Sequence, residues 1–129
     1  MNALLIERKL NTPLIDFNPN TGLLKIEGRS IPENPIKFYQ PIEGWISNFI
    51  KTNPKDLILS IHLDYLNTHS TECVLILMKK LEAFYKIQNT NVKVSWNYDE
   101  EDEDMEDLGR DLASIVAVPF EYAEVKEED

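Results

Sequence analysis

The stretch DLILSIHL at residues 56–63 constrains the fold most, because it is a short and nearly continuous apolar segment. Such runs are typical of buried strands in parallel sheets, which need a helical crossover to reach the next strand. An apolar repeat with helical spacing follows, at Val74, Leu77, Met78, Leu81 and Tyr85. VKVSW at residues 92–96 then alternates as a strand. This order predicts a right-handed strand–helix–strand unit.

The remaining segments add an opening hairpin and two further helices. PLIDF and GLLKIEG flank the turn-rich NPNT, which predicts two antiparallel strands. The prolines of residues 29–40 predict an irregular segment, and Pro41 suits the first turn of a helix. That helix carries an apolar stripe at Ile42, Trp45, Ile46, Phe49 and Ile50. The next stripe lies at Met105, Leu108, Leu112 and Ile115, before a strand at VPFEY. We therefore predict an α/β fold with helices packed on a small mixed β-sheet.

The net charge of −10 is concentrated in residues 99–111, which hold nine acids and one base. Such an acidic belt repels phosphate backbones, which argues against nucleic-acid binding. The belt either stabilises the start of the following helix or meets a basic partner. It lacks the ligand order and the turn glycine of an EF-hand loop, so we predict no metal site.

Composition also bears on location and domain organisation. No apolar run approaches the length of a membrane span, and the N-terminal run is too short and charged for a signal peptide. The lone Cys73 excludes an internal disulfide. We expect a cytoplasmic protein without a cofactor or membrane association. It would form one domain over residues 1–129, with a flexible acidic tail at 123–129.

The polar corner NTHST at residues 67–71 lies between the predicted strand and the predicted helix. Ligands and partners usually meet α/β folds at such corners. Asn67, Ser70 and Thr71 are candidate N-caps, because their side-chain oxygens can accept hydrogen bonds from the first helical N–H groups. The same helix start could seat a phosphoryl group. A phosphate on Thr68 would be tolerated by the free fold but costly to bury against a partner.

Four segments look like the successive motifs of the SiaC-type regulatory phosphoproteins, bacterial proteins similar in fold to STAS-domain anti-sigma-factor antagonists. They are GRSIPENPIKFYQPIEGWI, LDYLNTHST, VSWNYDEEDEDMEDLGRD and VPFEY. The resemblance implies that Thr68, in the Asn-Thr motif, is the phosphoacceptor. It also implies a dedicated protein kinase, an opposing PPM-type phosphatase and a diguanylate cyclase. The unphosphorylated protein would bind and activate that cyclase in the control of biofilm formation or aggregation.

The chain departs from the family pattern directly after the acceptor. Family members often continue Asn-Thr-Ser-Ser-Ser-Lys, whereas NTHSTE places His69 and Glu72 at two of those positions. Glu72 favours the helix start but would repel a phosphate on Thr68. Arg29, at a strand end, could reach the phosphate or pair with Glu33 or another acid. The predicted partner-binding residues are Asn67, His69, Ser70, Thr71, Glu72 and Arg29.

Two alternatives stay open at the level of sequence. A small enzyme would use His69 with Asp64 or Glu72 and would need a pocket, and an unmodified structural subunit would carry no phosphate. We predict no catalytic residue, since the chain has no glycine-rich phosphate loop. A switch needs an exposed Thr68 hydroxyl, and Thr68→Ala would cost about 1 kcal/mol as a lost cap.

Overall fold

A computed structural model describes residues 1–87 and 91–126, which form one mixed sheet with helices packed on it. The strand order follows the sequence, with antiparallel pairs from β1 to β3 and parallel pairs from β3 to β6. The strands are β1 (Leu4–Ile6), β2 (Leu14–Asn18), β3 (Leu23–Ser30), β4 (Asp56–Leu66), β5 (Asn91–Asp99) and β6 (Phe120–Val125). The helices are α1 (Pro35–Lys51), α2 (Thr68–Ile87) and α3 (Glu103–Ile115). The predicted α/β class, hairpin and parallel crossover are confirmed.

The core lies on one face of the sheet. Alternate residues of a strand point to the same side, so the buried residues of each strand share this face. Ile15, Ile26, Ile61 and Trp96 pair in register across four strands, and none of them is exposed. On this face, the Trp45 ring of α1 packs against Phe17, with ring centroids 5.3 Å apart. The Trp96 indole donates to the Met105 carbonyl of α3 at 2.9 Å. The opposite face carries polar side chains on the parallel strands, including Lys25, Ser60, Ser95 and Glu121.

Helix α1 begins earlier than the sequence analysis predicted, which had placed Pro41 in its first turn. It starts at Pro35, where Asn34 caps it by accepting from the Lys37 N–H at 3.1 Å. A proline fits the first helical position because its missing N–H would have no partner there. Pro41 therefore lies inside the helix, not in its first turn. It is tolerated on the exposed side, where water can reach the carbonyl that loses its donor.

The structure also corrects some details of the predicted stripes and the tail. Phe84 is buried and Tyr85 is exposed, and Ile115 at the end of α3 faces solvent. Residues 123–125, expected in a flexible tail, form part of β6 and pair with Asn97–Asp99. Lys126 follows β6 without regular secondary structure, and residues 127–129 of that expected tail lie outside the described residues. None of the described helices is both long and apolar enough to cross a membrane.

Candidate functional site

The predicted corner is a sharp junction in which only Asn67 separates β4 from α2. The Asn67 backbone N–H donates to the Ser30 carbonyl at 3.3 Å, which ties the junction to the end of β3. Its side-chain Oδ1 accepts from the Ser70 backbone N–H at 2.8 Å. Asn67 is therefore the N-cap of α2. The expectation that Ser70 or Thr71 serves as this cap is wrong.

Thr68 is the first residue of α2 and its side chain is exposed. Its hydroxyl forms no hydrogen bond to residues 1–87 or 91–126. The predicted decrease of about 1 kcal/mol in stability for Thr68→Ala is therefore no longer expected, because the capping oxygen belongs to Asn67. The hydroxyl is open to an approaching protein.

The N–H groups at the start of α2 are only partly satisfied. Four donors at a helix start lack intrahelical acceptors. The Asn67 N–H donates to the Ser30 carbonyl and the Ser70 N–H donates to Asn67 Oδ1. The N–H groups of Thr68 and His69 form no hydrogen bond within the described chain. The first turn of α2 contains no acidic residue. Unpaired donors and the positive end of the helix dipole therefore coincide at the predicted phosphosite.

Helix α3 provides the contrast, because its positive end is neutralised by the acidic belt. Asp102 caps it by accepting from the Met105 N–H at 3.1 Å, and acids occupy its first turn at Glu103, Asp104 and Glu106. These positions are the ones expected if the belt stabilises this helix start. Within the described residues, no group of three His, Cys, Asp or Glu side chains is arranged to hold a metal ion.

The predicted partner-binding residues divide into surface and interior positions. Ser70 is fully buried, so its assignment to the docking surface is wrong, and its hydroxyl has no hydrogen-bond partner among the residues described. Thr71 is half-buried, and its hydroxyl donates to the Asn67 carbonyl at 2.9 Å. His69 and Glu72 are exposed beside Thr68. Four of the side chains named from sequence thus cluster at the start of α2 with Thr68, whereas Ser70 points into the core.

Arg29 lies on β3 at the same end of the sheet, and it pairs with another acid, Asp64, rather than with Glu33. Its Nε is 3.9 Å from Asp64 Oδ1, and its guanidinium lies 6.0 Å from the centre of the Tyr65 ring. No ion pair joins it to Glu33 among the residues that the structure describes. The β3–β4 pairing accounts for this choice, since Arg29 is aligned with Tyr65, the neighbour of Asp64.

A groove of about 460 Å³, here called the α1–α2 groove, opens beside Thr68. Its lining residues are Glu33, Asn34, Pro35, Ile36, His69, Glu72, Cys73 and Ile76. Two large apolar side chains stand at its walls, Ile36 at 76% exposure and Ile76 at 44%. Sequence reasoning missed both, because Ile36 fell in the segment predicted to be irregular. Ile76 could have been recognised as an exposed apolar residue from the sequence, because it lies outside the predicted buried stripe of this helix.

Burial raises the pKa of two titratable side chains beneath this corner, so both are neutral at physiological pH. The Tyr39 phenol bonds to the Ser30 hydroxyl at 2.7 Å, and burial raises the pKa of Tyr39 to about 12. Burial, together with the charges of Glu43 and Glu72, raises the pKa of the Cys73 thiol. A thiol is nucleophilic only as its anion, so Cys73 has the character of a core residue.

The enzymatic alternative lacks its expected contacts. His69 forms neither a hydrogen bond nor an ion pair with Asp64 or Glu72 in the structure of residues 1–87 and 91–126, and Asp64 faces Arg29 instead. A general base needs an orienting partner within hydrogen-bond reach. The arrangement at the corner presents an accessible hydroxyl rather than an assembled catalytic group.

Comparison with known proteins places this geometry in a family. A family described as "SiaC family regulatory phosphoprotein" matches residues 6–125. An uncharacterized protein of Pseudomonas aeruginosa strain UCBPP-PA14 is 28% identical over 120 residues, covering 93% of this chain and 94% of that protein.

Solved structures of Pseudomonas aeruginosa SiaC share the fold. The complex of the diguanylate cyclase SiaD with its activator SiaC matches with a TM-score of 0.89 and 26% identity, over 95% of this chain and 99% of that chain. Apo-SiaC matches with a TM-score of 0.84 and 24% identity, over the same shares of the two chains. The six-stranded mixed sheet with its helices is thus a STAS-like fold. The chain is a member of the SiaC family of regulatory phosphoproteins.

Proposed function

We propose that this protein is a non-enzymatic switch, set by reversible phosphorylation of Thr68. In its unphosphorylated form it would bind and activate a diguanylate cyclase; the similar protein SiaC is the activator of the diguanylate cyclase SiaD and forms a complex with it. The observation that carries the proposal is the exposed Thr68 hydroxyl, which has no hydrogen bond within the described residues and stands at the first position of α2.

The modification is a phosphoryl transfer from a nucleoside triphosphate, carried out by a protein kinase. The Thr68 Oγ1 attacks the γ-phosphorus, the bond to the β–γ bridging oxygen breaks, and a nucleoside diphosphate leaves. The hydroxyl proton passes to a base that the kinase supplies. An opposing PPM-type phosphatase directs water to the phosphorus, which returns the hydroxyl and releases inorganic phosphate.

The fold can accept this group without rearrangement. The unpaired N–H groups of Thr68 and His69 and the positive end of the α2 dipole favour a dianion at this position. Glu72, one turn further along the same helix face, opposes it. The phosphorylated protein therefore keeps its structure and changes the charge of its surface.

That change acts on the partner complex. The surface formed by Thr68, Asn67, His69, Thr71 and Glu72, with Arg29 at its edge, would contact the cyclase. Burying a phosphate dianion there without a matched partner group would weaken binding by about 10²-fold or more. Cyclase activation would stop without any refolding of this chain.

The test measures binding to the diguanylate cyclase of the same organism by titration calorimetry, with unmodified protein, authentic phosphoprotein, Thr68→Ala and Thr68→Asp. We expect unmodified protein and Thr68→Ala to bind alike and the phosphoprotein to bind much more weakly. Thr68→Asp should be intermediate, because one negative charge imitates a dianion imperfectly.

A nearby threonine provides a matched control for the modification itself. Thr71→Ala removes a hydroxyl three residues away that is already engaged with the Asn67 carbonyl. Kinase and nucleoside triphosphate should add one phosphate to wild-type protein and to Thr71→Ala, and none to Thr68→Ala, as read by intact mass. Equal cyclase affinity of the modified and unmodified wild-type proteins would remove the proposed mechanism.

A further inference from the structure

The α1–α2 groove runs along one face of α2 from its first turn. The residues that α2 contributes, His69, Glu72, Cys73 and Ile76, are spaced at i, i+3, i+4 and i+7, which places them on one side of the helix. Thr68 directly precedes the first of them. Thr68 itself does not line the groove, but Glu72, one helical turn further on, does, so a protein that reaches the Thr68 hydroxyl comes close to this groove.

The walls of the groove provide an apolar anchor point. Ile36 from the first turn of α1 and Ile76 from α2 are both exposed, although neighbouring side chains of each helix are buried. Covering such side chains with an aliphatic side chain of another protein removes apolar surface from water. A groove between two helices is also the shape that receives the apolar face of a third helix.

The rim of the groove is acidic and uncompensated. Glu33 and Glu72 are exposed, and neither forms an ion pair within 4.0 Å in the described parts of the chain. A nucleotide that brings its γ-phosphate to Thr68 adds further negative charge close to Glu72. Like charges at short range repel, so an enzyme that works here needs its own positive charge facing the rim.

The local structure also determines how a kinase can recognise its acceptor. Asn67 is bonded to Ser30 through its backbone and to Ser70 through its side chain, and Thr71 begins the helical hydrogen bonds. Thr68 is thus held in a folded junction and cannot be read as an extended peptide. The enzyme must recognise a folded surface, and the α1–α2 groove is the apolar recess beside the acceptor.

We propose that the α1–α2 groove docks the kinase that phosphorylates Thr68. Its occupant is an amphipathic helix of that kinase, with an aliphatic side chain between Ile36 and Ile76 and a lysine or arginine facing Glu72 and Glu33. This inference rests on the proposed function and adds the determinant of kinase specificity. Glu72 then selects a kinase that presents the opposite charge.

The test uses the kinase activity purified from the organism by its transfer of phosphate from ATP to the wild-type chain. Initial rates are measured over a range of chain concentrations, and the modified residue is identified by mass spectrometry. Glu72→Lys should lower kcat/KM about tenfold or more, mainly through a higher KM, because it places like charges together. Ile36→Ser should lower kcat/KM about threefold or more through lost apolar contact.

Matched controls lie on α3, away from the groove. Asp107→Lys and Ile115→Ser change an exposed acid and an exposed isoleucine on another helix. Both should leave kcat/KM within about twofold of wild type. The rate on wild-type chain should also fall with added salt, and Glu72→Gln should reduce that salt dependence because it removes a rim charge. Thermal unfolding of each variant confirms that the fold is intact.

The outcomes distinguish a failure of the proposed docking site from a failure of the proposed phosphorylation switch. If wild-type chain acquires phosphate at Thr68 and the groove variants react at the wild-type rate, the docking proposal is overturned and the switch stands. If the groove variants lose affinity only for the cyclase, the cyclase occupies the groove and the docking proposal is likewise overturned. If wild-type chain acquires no phosphate at Thr68, the proposed function itself fails, and the docking site fails with it.

Discussion

Separate alanine substitutions at Asn67 and Thr68 distinguish the residue whose side chain caps α2 from the residue whose hydroxyl is available for phosphorylation. Asn67 Oδ1 accepts from the Ser70 N–H at 2.8 Å, and alanine cannot replace that bond. Loss of an N-cap of this type costs about 1 kcal/mol. For a chain of this length, 1 kcal/mol corresponds to a lower melting temperature by roughly 3 to 5 °C.

Thr68→Ala removes a side chain that makes no hydrogen bond within the described residues. Alanine is also the better helix former, by up to about 0.7 kcal/mol. We therefore expect Thr68→Ala to match the stability of wild type or to exceed it slightly. The two adjacent substitutions should change the free energy of unfolding in different directions or by clearly different amounts.

Urea unfolding followed by circular dichroism measures this difference. Asn48→Ala, an exposed asparagine within α1, controls for the general effect of placing alanine on a helix. Equal losses of stability in Thr68→Ala and Asn67→Ala would contradict this assignment of roles. The hydroxyl would then be part of the helix start, and phosphorylation would disturb the fold itself rather than only the docking surface.

Two other sites give independent tests of the packing. Tyr39→Phe leaves the buried Ser30 hydroxyl without its partner, which should lower the free energy of unfolding by about 1–3 kcal/mol in urea titrations at neutral pH. Since the pKa of Tyr39 is raised from 10.0 to about 12 in the fold, its contribution should be complete below pH 10 and lost as pH rises to about 12. That loss should amount to about 3 kcal/mol and be absent from Tyr39→Phe; equal alkaline profiles would contradict the burial argument. Gly109→Ala drives a methyl group into the buried Trp96 indole, so it should destabilise by about 1–3 kcal/mol and shift tryptophan fluorescence to the red; an unshifted spectrum with wild-type stability would mean that α3 does not pack on Trp96.

The proposed switch depends on the separation of structural and chemical roles at one corner. The cap, the strand tie and the first helical bond all involve Asn67, whereas the neighbouring hydroxyl stays exposed. A phosphoryl group can then be added or removed without breaking a bond that holds α2. A protein of this kind can alternate between two binding states at little cost to its stability.

Local patterns in the sequence were sufficient for the family and for every element except β1, the three-residue strand Leu4–Ile6, which was not predicted. Alternating and helical spacings of apolar residues predicted the hairpin, the parallel strands and the three helices, because burial of one face requires those periods. The same local reasoning failed at Pro35 and Pro41. A proline is compatible with a helix start or an exposed helical position, and only the Asn34 cap showed where α1 begins.

By itself, the sequence determined that a strand ends at an Asn-Thr corner and that a helix begins there, since turn residues and apolar periodicity act over a few positions. The tertiary structure decided which side chains at that corner face solvent. Ser70 turns into the core, whereas Thr68 remains exposed, because the position of α2 against the sheet determines its buried side. The α1–α2 groove likewise exists only after packing brings together Ile36 and Ile76, which lie on separate helices and whose proximity no local pattern encodes.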